Sequence, residues 1–438
     1  MIRVMFEISP QEASFPAENW IYEKTGLKKG DFDFEIHKKS LDARKNKVEF
    51  VYTVDLFLKK GNESKIASRL KGKVLPAEED YVFPTPKEKP SKRPVVAGFG
   101  PGGIFAALML ARSGFCPIIL ERGKNGEERK KDVDAFFSGG ELNLDSNIQF
   151  GEGGAGAFSD GKLNTLVKDK SFRGQFILNE LVNAGAPAET LYIAKPHIGT
   201  DLLREVVKNL REEIISLGGE IRFSTRLEDI KTDENGRLVS VIANGEEIET
   251  DSLFLATGQS AKDIALMLYN HGAEIEKKPF SVGFRIEHPQ KDIDIAQYGE
   301  NGDLRFLPPA EYKLFTHCKT GRTVYSFCMC PGGHVVNASC EDGSLVTNGM
   351  SYHARDGKNA NSAILCEVLP EDLGEGIFSG FDYRENLEKE AFKLGGNDYT
   401  APASSLGDYL GAQENAALSV ESTYPRGIKL CDISRLFS

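Results

Sequence analysis

Long apolar runs are missing from this sequence. The first residues, MIRVMFEISPQEASF, contain no apolar core of the length that a secretory signal requires. No later stretch approaches the roughly 20 apolar residues that span a bilayer. The seven cysteines are an odd number scattered between Cys116 and Cys431, which is not the pattern of a disulfide framework. We therefore expect a soluble, cytoplasmic protein without a membrane span.

Positively charged residues are fewer than negatively charged ones. Lysine and arginine number 54 against 65 aspartates and glutamates, which gives a formal net charge of -11. A surface of this sign does not favour the phosphate backbone of nucleic acids. We predict a small-molecule substrate and no nucleic-acid partner, and the sequence leaves the oligomeric state open.

The composition is that of a folded chain with more than one domain. Apolar residues make up 40% and charged residues 27% of the 438 positions, close to globular averages, and this length suffices for two or three domains. Strand patterns at 2–8, 32–37 and 48–58 predict a small α+β domain over 1–81. The proline- and lysine-rich residues 82–93 predict a linker.

Strands and helices alternate from Pro94 onward, which favours a parallel sheet in an α/β fold. Residues 95–97 and 117–120 have the apolar character of short buried strands. The residues between them, 102–113, have the spacing of a helix. A second amphipathic helix is expected to begin with Thr200 as its cap.

Three strand-like runs follow at 220–230, 237–243 and 246–249, with an Asn-Gly pair in each gap. Asn-Gly is the strongest short hairpin signal, so these runs predict a β-meander. The apolar residues 252–257 predict one further strand. We assign this whole α/β domain to 94–270.

The turn between the first strand and helix of this domain reads Gly98-Phe-Gly100-Pro101-Gly102-Gly103. Gly98 permits a tight turn, Gly100 lets the backbone approach a pyrophosphate, and Gly103 lets the helix pack closely on the sheet. The free N–H groups at the helix start favour phosphate. Such a turn alone is a weak signal, but a strand before it and a helix after it predict a dinucleotide site.

Glu121 closes the second strand and follows the glycine turn at the spacing expected of an acid that meets the ribose. A carboxylate at this position accepts hydrogen bonds from ribose hydroxyls and repels a 2′-phosphate. The site is therefore predicted to disfavour NADP, and the turn alone does not decide between FAD and NAD.

Further motifs make the chain resemble the glutathione-reductase-like FAD superfamily. These are Glu121-Arg122-Gly123, the glycine-rich segment 151–156, and a strand that ends in Thr257-Gly258 after the meander. More narrowly, the chain resembles a largely uncharacterised bacterial family of NAD(P)/FAD-dependent dehydrogenases over essentially its whole length. The motifs of that closer resemblance are Ser40-Leu-Asp-Ala-Arg44, Phe150-Gly-Glu-Gly-Gly-Ala-Gly156, Ser159-Asp-Gly-Lys-Leu163, Ser281-Val-Gly-Phe-Arg-Ile-Glu-His-Pro289, Cys328-Met-Cys-Pro-Gly-Gly-His334 and Gly349-Met-Ser-Tyr-His-Ala-Arg355.

The resemblance implies a Rossmann-like FAD-binding domain whose loop 151–162 lies near the pyrophosphate and the isoalloxazine. Consecutive N–H groups in such a loop form an anion-binding nest. Arg129 is a candidate to neutralise the pyrophosphate, although a solvated helix face explains it equally well, and Lys162 is a candidate to stabilise the reduced ring. The predicted cofactor-binding set is Gly98, Gly100, Pro101, Gly102, Gly103, Glu121, Arg122, Arg129, Gly151, Gly153, Gly154, Asp160, Gly161, Lys162, Leu227, Thr257 and Gly258.

Residues 271–400 are predicted to form a mostly β substrate domain, and 401–438 a C-terminal segment. Histidine titrates near neutrality and suits proton transfer, whereas arginine suits anchoring. A satisfied structural role remains the alternative for each of them. The catalytic candidates are Lys162, Arg285, His288, His334 and Arg355.

Cysteine chemistry and metals are not predicted to contribute. Cys328 and Cys330 are separated by one residue, a spacing that suits neither a thioredoxin-like motif nor ordinary disulfide geometry. Inert, buried thiols are the better interpretation. No cluster of cysteine, histidine and carboxylate has metal-ligand spacing, so no metal site is predicted.

Two motifs of the superfamily are absent. No second Gly-x-Gly-x-x-Gly follows a strand after residue 130, so NAD(P)H is expected only as a transient reductant. The usual C-terminal return, a strand leading into Gly-Asp or Gly-Glu beside the ribityl chain, is also missing, because Gly407-Asp408 follows a polar stretch. We therefore expect a C-terminally truncated chain whose flavin site is open on one side and binds FAD weakly.

The leading functional prediction is an FAD-dependent oxidoreductase that transfers a hydride between flavin and an organic substrate or NAD(P)H. A flavin-dependent monooxygenase is one alternative, and substrate-dependent O₂ consumption would favour it. A truncated flavoprotein that acts only as a binding module is another, and a cooperative melt without bound flavin would favour that.

Overall fold

The computed structural model describes residues 1–44, 47–76, 81–84, 86–163, 167–300, 304–412 and 417–437. The chain packs into two compact units, which we name the small unit and the large unit. The small unit contains Met1–Phe83, Lys162–Ile198 and Gln290–Glu311, and the large unit contains Pro84–Gly161, Gly199–Pro289 and Tyr312–Ser438.

Strands and helices alternate through much of the chain. The strands are β1 Ile2–Ile8, β2 Phe32–Asp42, β3 Glu49–Leu58, β4 Lys73–Val74, β5 Val95–Ala97, β6 Ile118–Leu120, β7 Glu220–Arg222, β8 Leu227–Thr232, β9 Leu238–Ala243, β10 Glu246–Glu249, β11 Leu253–Leu255, β12 Phe280–Pro289, β13 Phe315–His317, β14 Thr323–Cys330, β15 His334–Asn337, β16 Thr347–Met350, β17 Asn359–Val368, β18 Ala401–Ala403 and β19 Ile428–Leu430. The α-helices are α1 Pro10–Ala13, α2 Ala17–Thr25, α3 Glu63–Arg69, α4 Pro101–Arg112, α5 Gly126–Phe137, α6 Arg173–Asn183, α7 Thr200–Ser216, α8 Lys262–Asn270, α9 Gln290–Tyr298, α10 Ser379–Gly395 and α11 Leu406–Tyr409.

The small unit is built on a four-stranded sheet in the order β2-β3-β1-β4. Strand β1 pairs antiparallel with both β3 and β4, and every second residue of β1 is buried, as its alternating sequence predicts. Helix α2 inserts Trp20 into this core, where its ring centroid lies 5.9 Å from that of Phe6 and 4.8 Å from that of Tyr52. The strand patterns at the start of the chain therefore translate directly into the fold.

The large unit contains a parallel sheet in the order β11-β5-β6-β7. Helix α4 connects the neighbouring parallel strands β5 and β6, and all three residues of each of these strands are buried. Because the strands are parallel, their carboxyl ends meet at one edge of the sheet. The prediction of a mixed α/β protein with several sheets is confirmed.

The predicted meander is present, but it begins later than expected. Strands β8, β9 and β10 form an antiparallel three-stranded sheet. The run 220–230 is not one strand, because Ser224 has a positive φ of 52° and breaks it. The part before this residue, β7, joins the parallel sheet instead. Alternation of apolar residues does not reveal such a break.

The predicted cap at Thr200 is wrong by one residue. Gly199, with a φ of 84°, occupies the cap position, and Thr200 is the first residue of helix α7. The Thr200 hydroxyl donates to the Ala157 carbonyl oxygen at 2.6 Å. The hydroxyl therefore ties the helix to a neighbouring loop instead of accepting from its own first turn.

The third large sheet runs in the order β12-β17-β14-β13. Strands β12 and β17 pair along their whole lengths, from Phe280 opposite Val368 to Pro289 opposite Asn359. This region also contains helix α10, which packs beside β18. The predicted domains were consecutive segments, whereas the contacts group 162–198 and 290–311 with Met1–Phe83. The periodicity of apolar residues does not reveal that a segment packs with a part of the chain that is distant in sequence.

Gly103 tests how closely helix α4 approaches the glycine turn. A Cβ on this residue would lie 1.9 Å from the Gly98 carbonyl oxygen, so Gly103→Ala must push the helix away from the turn. We expect the free energy of unfolding, measured with urea, to fall by about 2 kcal/mol. Gly102→Ala is the matched control, because its Cβ meets only the Ala256 Cβ at 3.8 Å. Equal stability of the two variants would contradict this account of the packing.

Candidate functional site

A cleft of about 350 Å³ lies in the large unit at the carboxyl edge of the parallel sheet. Strands β5, β6 and β11 end at this cleft, and helix α4 begins there. Gly98 N donates to the Leu120 carbonyl, and Ala256 N donates to that of Ala97. These bonds hold the three strand ends in register, so the cleft is a direct product of the sheet.

The glycine turn forms one wall of the cleft. Gly98 has a φ of 97°, and a Cβ there would lie 2.4 Å from the Ala256 carbonyl oxygen. Gly100 caps helix α4 in an extended conformation, and Pro101 is the first helical residue. The first turn of a helix leaves N–H groups without intrahelical partners, and here that turn lines the cleft.

A glycine-rich loop forms the opposite wall, and from here on we call residues 147–156 the glycine loop. Gly154 has a φ of 58°, and a Cβ on it would lie 3.0 Å from the Gly100 Cα. A Cβ on Gly100 would in turn lie 3.6 Å from the Gly154 Cα. The two backbones thus pack directly against each other, and neither carries a side chain at this point. The surface that they present to the cleft suits a flat or phosphate-containing ligand.

The Glu121 carboxylate connects the two walls of the cleft through hydrogen bonds to backbone N–H groups. Its Oε2 accepts from Phe99 N at 2.7 Å, and its Oε1 accepts from Gly123 N and Gly151 N at 2.9 Å each. A carboxylate has about four acceptor positions, so three backbone bonds leave about one for a ligand. Glu121 lines the cleft, but most of its hydrogen-bonding capacity serves the protein.

Arg129 was a candidate to neutralise a pyrophosphate, but in the structure it binds the protein's own backbone. Its side chain is fully buried and is not among the described residues that line the cleft. The guanidinium stacks 4.8 Å from the ring centroid of Phe158, and burial lowers its pKa to about 10. It donates hydrogen bonds of 2.6–2.9 Å to the backbone carbonyl oxygens of Asn147, Ile148, Glu152 and Gly154.

Because four carbonyls of the glycine loop point at Arg129, this side chain fixes the loop from behind. Gly151 has a φ of 122°, and a Cβ on it would lie 2.3 Å from the Arg129 Cδ. The close approach of Arg129 and the positive φ thus both require a glycine at 151. Helix α5, which carries Arg129, thereby becomes part of the cleft's support.

Glu152 completes this support. Its Oε2 accepts from Gly126 N at 2.6 Å, at the start of helix α5, and from Arg211 Nη1 at 2.9 Å. A negative charge at a helix N-terminus is favourable, although burial raises the pKa of this carboxyl. The N-terminus of α5 is thus occupied by the protein's own carboxylate.

Arg122 closes one end of the cleft. Its guanidinium carbon lies 4.3 Å from the ring centroid of Phe150, and its Nη2 donates to Asp263 at 2.6 and 2.9 Å. The side chain presents a stacked, charge-neutralised surface. Such a surface suits a heterocyclic base better than a phosphate.

Most of the predicted cofactor residues come together in this cleft. Those that line it are Gly98, Gly100, Pro101, Gly102, Glu121, Arg122, Gly151, Gly154, Leu227, Thr257 and Gly258. Those among the described residues that do not line it are Gly103, Arg129, Gly153, Asp160, Gly161 and Lys162. Lys162 belongs to the small unit, where it bridges to His197, so its role toward a flavin stays a prediction.

Asp160 and Arg355, which were predicted for different roles, bind each other. Arg355 Nε donates to Asp160 Oδ1 at 3.0 Å, and its Nη2 pairs with the other carboxylate oxygen. Asp160 also accepts from the Ser351 hydroxyl, and Asp160 and Ser351 are both buried. This ion pair joins the end of the 151–161 segment to the loop after β16. It positions that segment.

Of the other catalytic candidates, Arg285 and His288 line a second, larger cavity of about 1060 Å³. Arg285 donates to Asn361 Oδ1 at 3.0 Å and to the Cys328 carbonyl oxygen at 3.1 Å. His288 Nε2 lies 2.8 Å from the Tyr312 hydroxyl. His334, at the start of β15, packs against the ring of Tyr352, and the structure does not bring it together with the other two.

Sequence reasoning missed the junction of the two cavities. Gln149, Gln259 and Ser260 line both of them, so the cleft and the larger cavity adjoin each other at these residues. Their positions carried a usable signal, because Gln149 lies at the start of the glycine loop and Gln259-Ser260 directly follows the predicted Thr257-Gly258. Gln149 is held in place by a bond from its Nε2 to the Ala338 carbonyl oxygen at 3.2 Å.

The cysteines at 116, 318, 328, 330, 340, 366 and 431 are free thiols. Cys330 is buried, whereas Cys328 is exposed. The prediction of buried thiols is therefore wrong for Cys328, where a bulge with a φ of 44° turns the residue outward.

Within the described ranges, no group of three or more potential ligands is placed to hold a metal ion. Nor does any helix in the described part of the chain have the length and apolarity to cross a membrane.

Comparison with known proteins places the chain in a family. Residues 279–438 match the family described as FAD-dependent protein, C-terminal domain-like, and residues 2–57 match a domain of unknown function. An uncharacterized protein of Clostridium beijerinckii is 49% identical over 400 residues, which are 90% of this chain and 74% of that protein. The chain belongs to the same family as this clostridial protein. Its C-terminal match supports FAD as the cofactor.

Solved structures with some similarity include two flavoenzymes. Pseudomonas aeruginosa PqsL, in complex with 2-aminobenzoylacetate, is 13% identical with a TM-score of 0.30 and aligns over 64% of this chain and 62% of its own. NikD, an amino acid oxidase of nikkomycin biosynthesis, is 12% identical with a TM-score of 0.28 and aligns over 62% and 69%. At this level of similarity neither their detailed folds nor their chemistry transfer to this chain.

The buried arginine gives a direct test of how the cleft is held. Arg129→Lys keeps the charge but loses the fork that reaches four carbonyls, and unpaired buried carbonyls cost free energy. We expect the free energy of unfolding to fall by about 3 kcal/mol, together with loss of ligand binding in the cleft. Arg112→Lys, in an exposed pair with Glu213, is the matched control and should change stability by about 0.5 kcal/mol or less. An Arg129→Lys variant as stable as this control would show that the clamp is not required.

Proposed function

We propose that the large unit is the FAD-binding part of an FAD-dependent oxidoreductase. The observation that carries this proposal is the glycine cleft at the carboxyl edge of the parallel sheet, with the larger apolar cavity directly beside it. The cleft volume of about 350 Å³ is at the low end of the range for ligand sites, which is about 300–1,000 Å³. It therefore suits one half of a dinucleotide, while the junction offers an exit for the other half.

The residues of the cleft fit the ADP half of FAD. Gly100 and Gly154 pack backbone to backbone, so the start of α4 and the glycine loop present a surface without side chains on which a pyrophosphate could lie. The remaining acceptor position of Glu121 suits a ribose hydroxyl. Arg122, stacked on Phe150 and neutralised by Asp263, suits the base. This arrangement supports a Rossmann-like role for the parallel sheet.

The flavin half would then pass the junction of Gln149, Gln259 and Ser260 into the larger cavity. When bound there, FAD supplies the capacity to accept or give a hydride. The chain's own contribution is to orient the cofactor, to exclude water with apolar walls, and to hold a substrate beside the ring. We propose that the hydride comes from an organic substrate or from NAD(P)H that visits transiently, within the wider glutathione-reductase-like superfamily.

Gly100→Ala tests the ADP site. Its Cβ makes only ordinary contact with Gly154, and its φ of -77° suits any residue, so the fold should be retained. The added methyl group would cover the surface on which the pyrophosphate is proposed to lie, and we expect FAD binding, measured by flavin absorbance and titration calorimetry, to weaken at least about tenfold. Gly374→Ala is the control, because a Cβ there meets nothing within 4 Å and the residue lies outside the cleft. Unchanged FAD affinity in Gly100→Ala would refute this placement.

The redox role is tested by anaerobic titration of the FAD-loaded chain with NADH, NADPH and a panel of organic reductants. Bleaching of the flavin's visible band by one of them identifies the donor and supports an oxidoreductase. A protein that binds FAD stoichiometrically but is bleached by none, while free flavin under the same conditions is reduced by dithionite, would contradict the oxidoreductase proposal.

A further inference from the structure

The larger cavity has room for a substrate in addition to a flavin ring. Its volume of about 1060 Å³ is at the upper end of the range found for ligand sites. Its walls are mainly apolar, with strand β12 along one side and helix α10 along another. Representative lining residues are Phe280, Val282, Phe284, Leu345, Leu365 and Leu387. A ligand for this cavity is therefore bulky and mostly apolar.

A polar patch interrupts the apolar wall near the junction with the cleft. The Cys340 thiol is within hydrogen-bonding reach of Ser260, which lines both cavities. Glu341, Arg384 and Glu388 surround this thiol. Arg384 and Glu388 also line the larger cavity. The patch thus lies where a substrate would approach a flavin that enters from the cleft.

The acid Glu388 has a weak partner. Its side chain is only 13% exposed, and its charged contact is with Arg384 Nε at 3.4 Å, which is long for a charge-assisted hydrogen bond. Arg384 is shared with Glu341, from which its Nη2 lies 3.5 Å. One guanidinium thus serves two carboxylates, and neither pair is close.

A second cation beside helix α10, Lys262, does not correct this imbalance. Lys262 Nζ donates to Asp382 at 3.1 Å and to Glu385 at 2.7 Å, both on helix α10. The two cations Lys262 and Arg384 therefore face four carboxylates, namely Glu341, Asp382, Glu385 and Glu388.

Cations elsewhere on the cavity wall are already engaged or solvated. Arg285 and Lys277 donate to backbone carbonyl oxygens, and Lys278 is exposed. The deficit of positive charge is thus local to the patch around Glu388.

We propose that the larger cavity binds a bulky, mostly apolar amine whose ammonium group pairs with Glu388. The apolar walls would bury the body of the ligand, and the ammonium would supply the positive charge that this patch lacks. The identification of this amine as the substrate rests on the proposed oxidoreductase function, whereas its binding does not. A carboxylate ligand is disfavoured at the same patch because it would add a further negative charge.

The protonation state of Glu388 agrees with this geometry. The pKa of its carboxyl is raised to about 7, mainly by burial; Arg384 opposes the rise, and the neighbouring Glu341 and Glu385 contribute to it. An ammonium at this position would favour the ionised carboxylate. Amine binding should therefore strengthen as the pH rises through this range.

Three probes of equal chain length test the ligand class. Octylamine, octan-1-ol and octanoate are titrated into the purified chain, with and without added FAD, by calorimetry at pH 8. We expect octylamine to bind at least about tenfold more tightly than octan-1-ol, with octanoate the weakest. Glu388→Gln should abolish the preference for the amine. Glu390→Gln, on the same helix but exposed and paired with Lys393, should retain it.

The pH dependence gives a second readout. Between pH 6 and pH 8 the ionised fraction of a carboxyl with a pKa near 7 rises from about one tenth to about nine tenths. The affinity for octylamine, which stays protonated in this range like a lysine side chain, should rise by up to about ninefold. This rise should vanish in Glu388→Gln. Its loss would assign the pH dependence to Glu388 and not to the ionisable groups around it, which are Cys340, Glu341, Arg384 and Glu385.

The outcomes separate this inference from the proposed function. Equal binding of octylamine and octan-1-ol, or an amine preference that survives in Glu388→Gln, would overturn the inference even if FAD binds. An amine preference that Glu388→Gln removes, in a chain that binds no FAD, would support the ligand class and refute the flavin function.

Discussion

The arrangement of the cleft depends on one buried cation. The Arg129 guanidinium gathers four carbonyl oxygens of the glycine loop, so the loop cannot take another course without leaving a charge unpaired in the interior. Breaking such an interaction is far more costly than its net contribution to stability, because the partner groups stay desolvated. The loop owes its conformation less to its own flexible glycines than to this side chain.

Two buried acids balance that cation and extend its influence. Glu121 binds N–H groups of the glycine turn, of the segment after β6 and of the glycine loop. Glu152 binds the start of helix α5 and Arg211 of helix α7. Three backbone segments and two helices thus share one charge network. The contact between Gly100 and Gly154 at the wall of the cleft rests on this network.

The parts of the fold that are local in sequence could be predicted. The strand, glycine turn and helix around Gly98 to Gly103 were predicted correctly because backbone conformation and close packing there depend on adjacent residues. The roles of Glu121 and Arg129 could not be predicted in the same way. Whether a charged side chain faces a ligand or the protein's own backbone is decided by segments that are distant along the chain, and those contacts leave no periodic signal.

The distinction between local and long-range contacts also explains the other differences between prediction and structure. Ser224 splits one apolar run between two sheets through a single backbone dihedral angle. Asp160 and Arg355, which are far apart in the sequence, attracted separate predictions because each has a residue type common at active sites. Each residue is the charged partner of the other, and only the tertiary fold reveals this ion pair. The junction of the two cavities follows from the meeting of the glycine loop with the end of β11.

The clamp on the glycine loop also has a kinetic consequence. Arg129 is the shared partner of the loop's four carbonyls, so the loop cannot reach its final conformation until helix α5 has docked and brought this side chain beneath it. Helix and loop must therefore open and close as one cooperative segment. Amide hydrogens of the loop and of α5 would then exchange with solvent at a common rate.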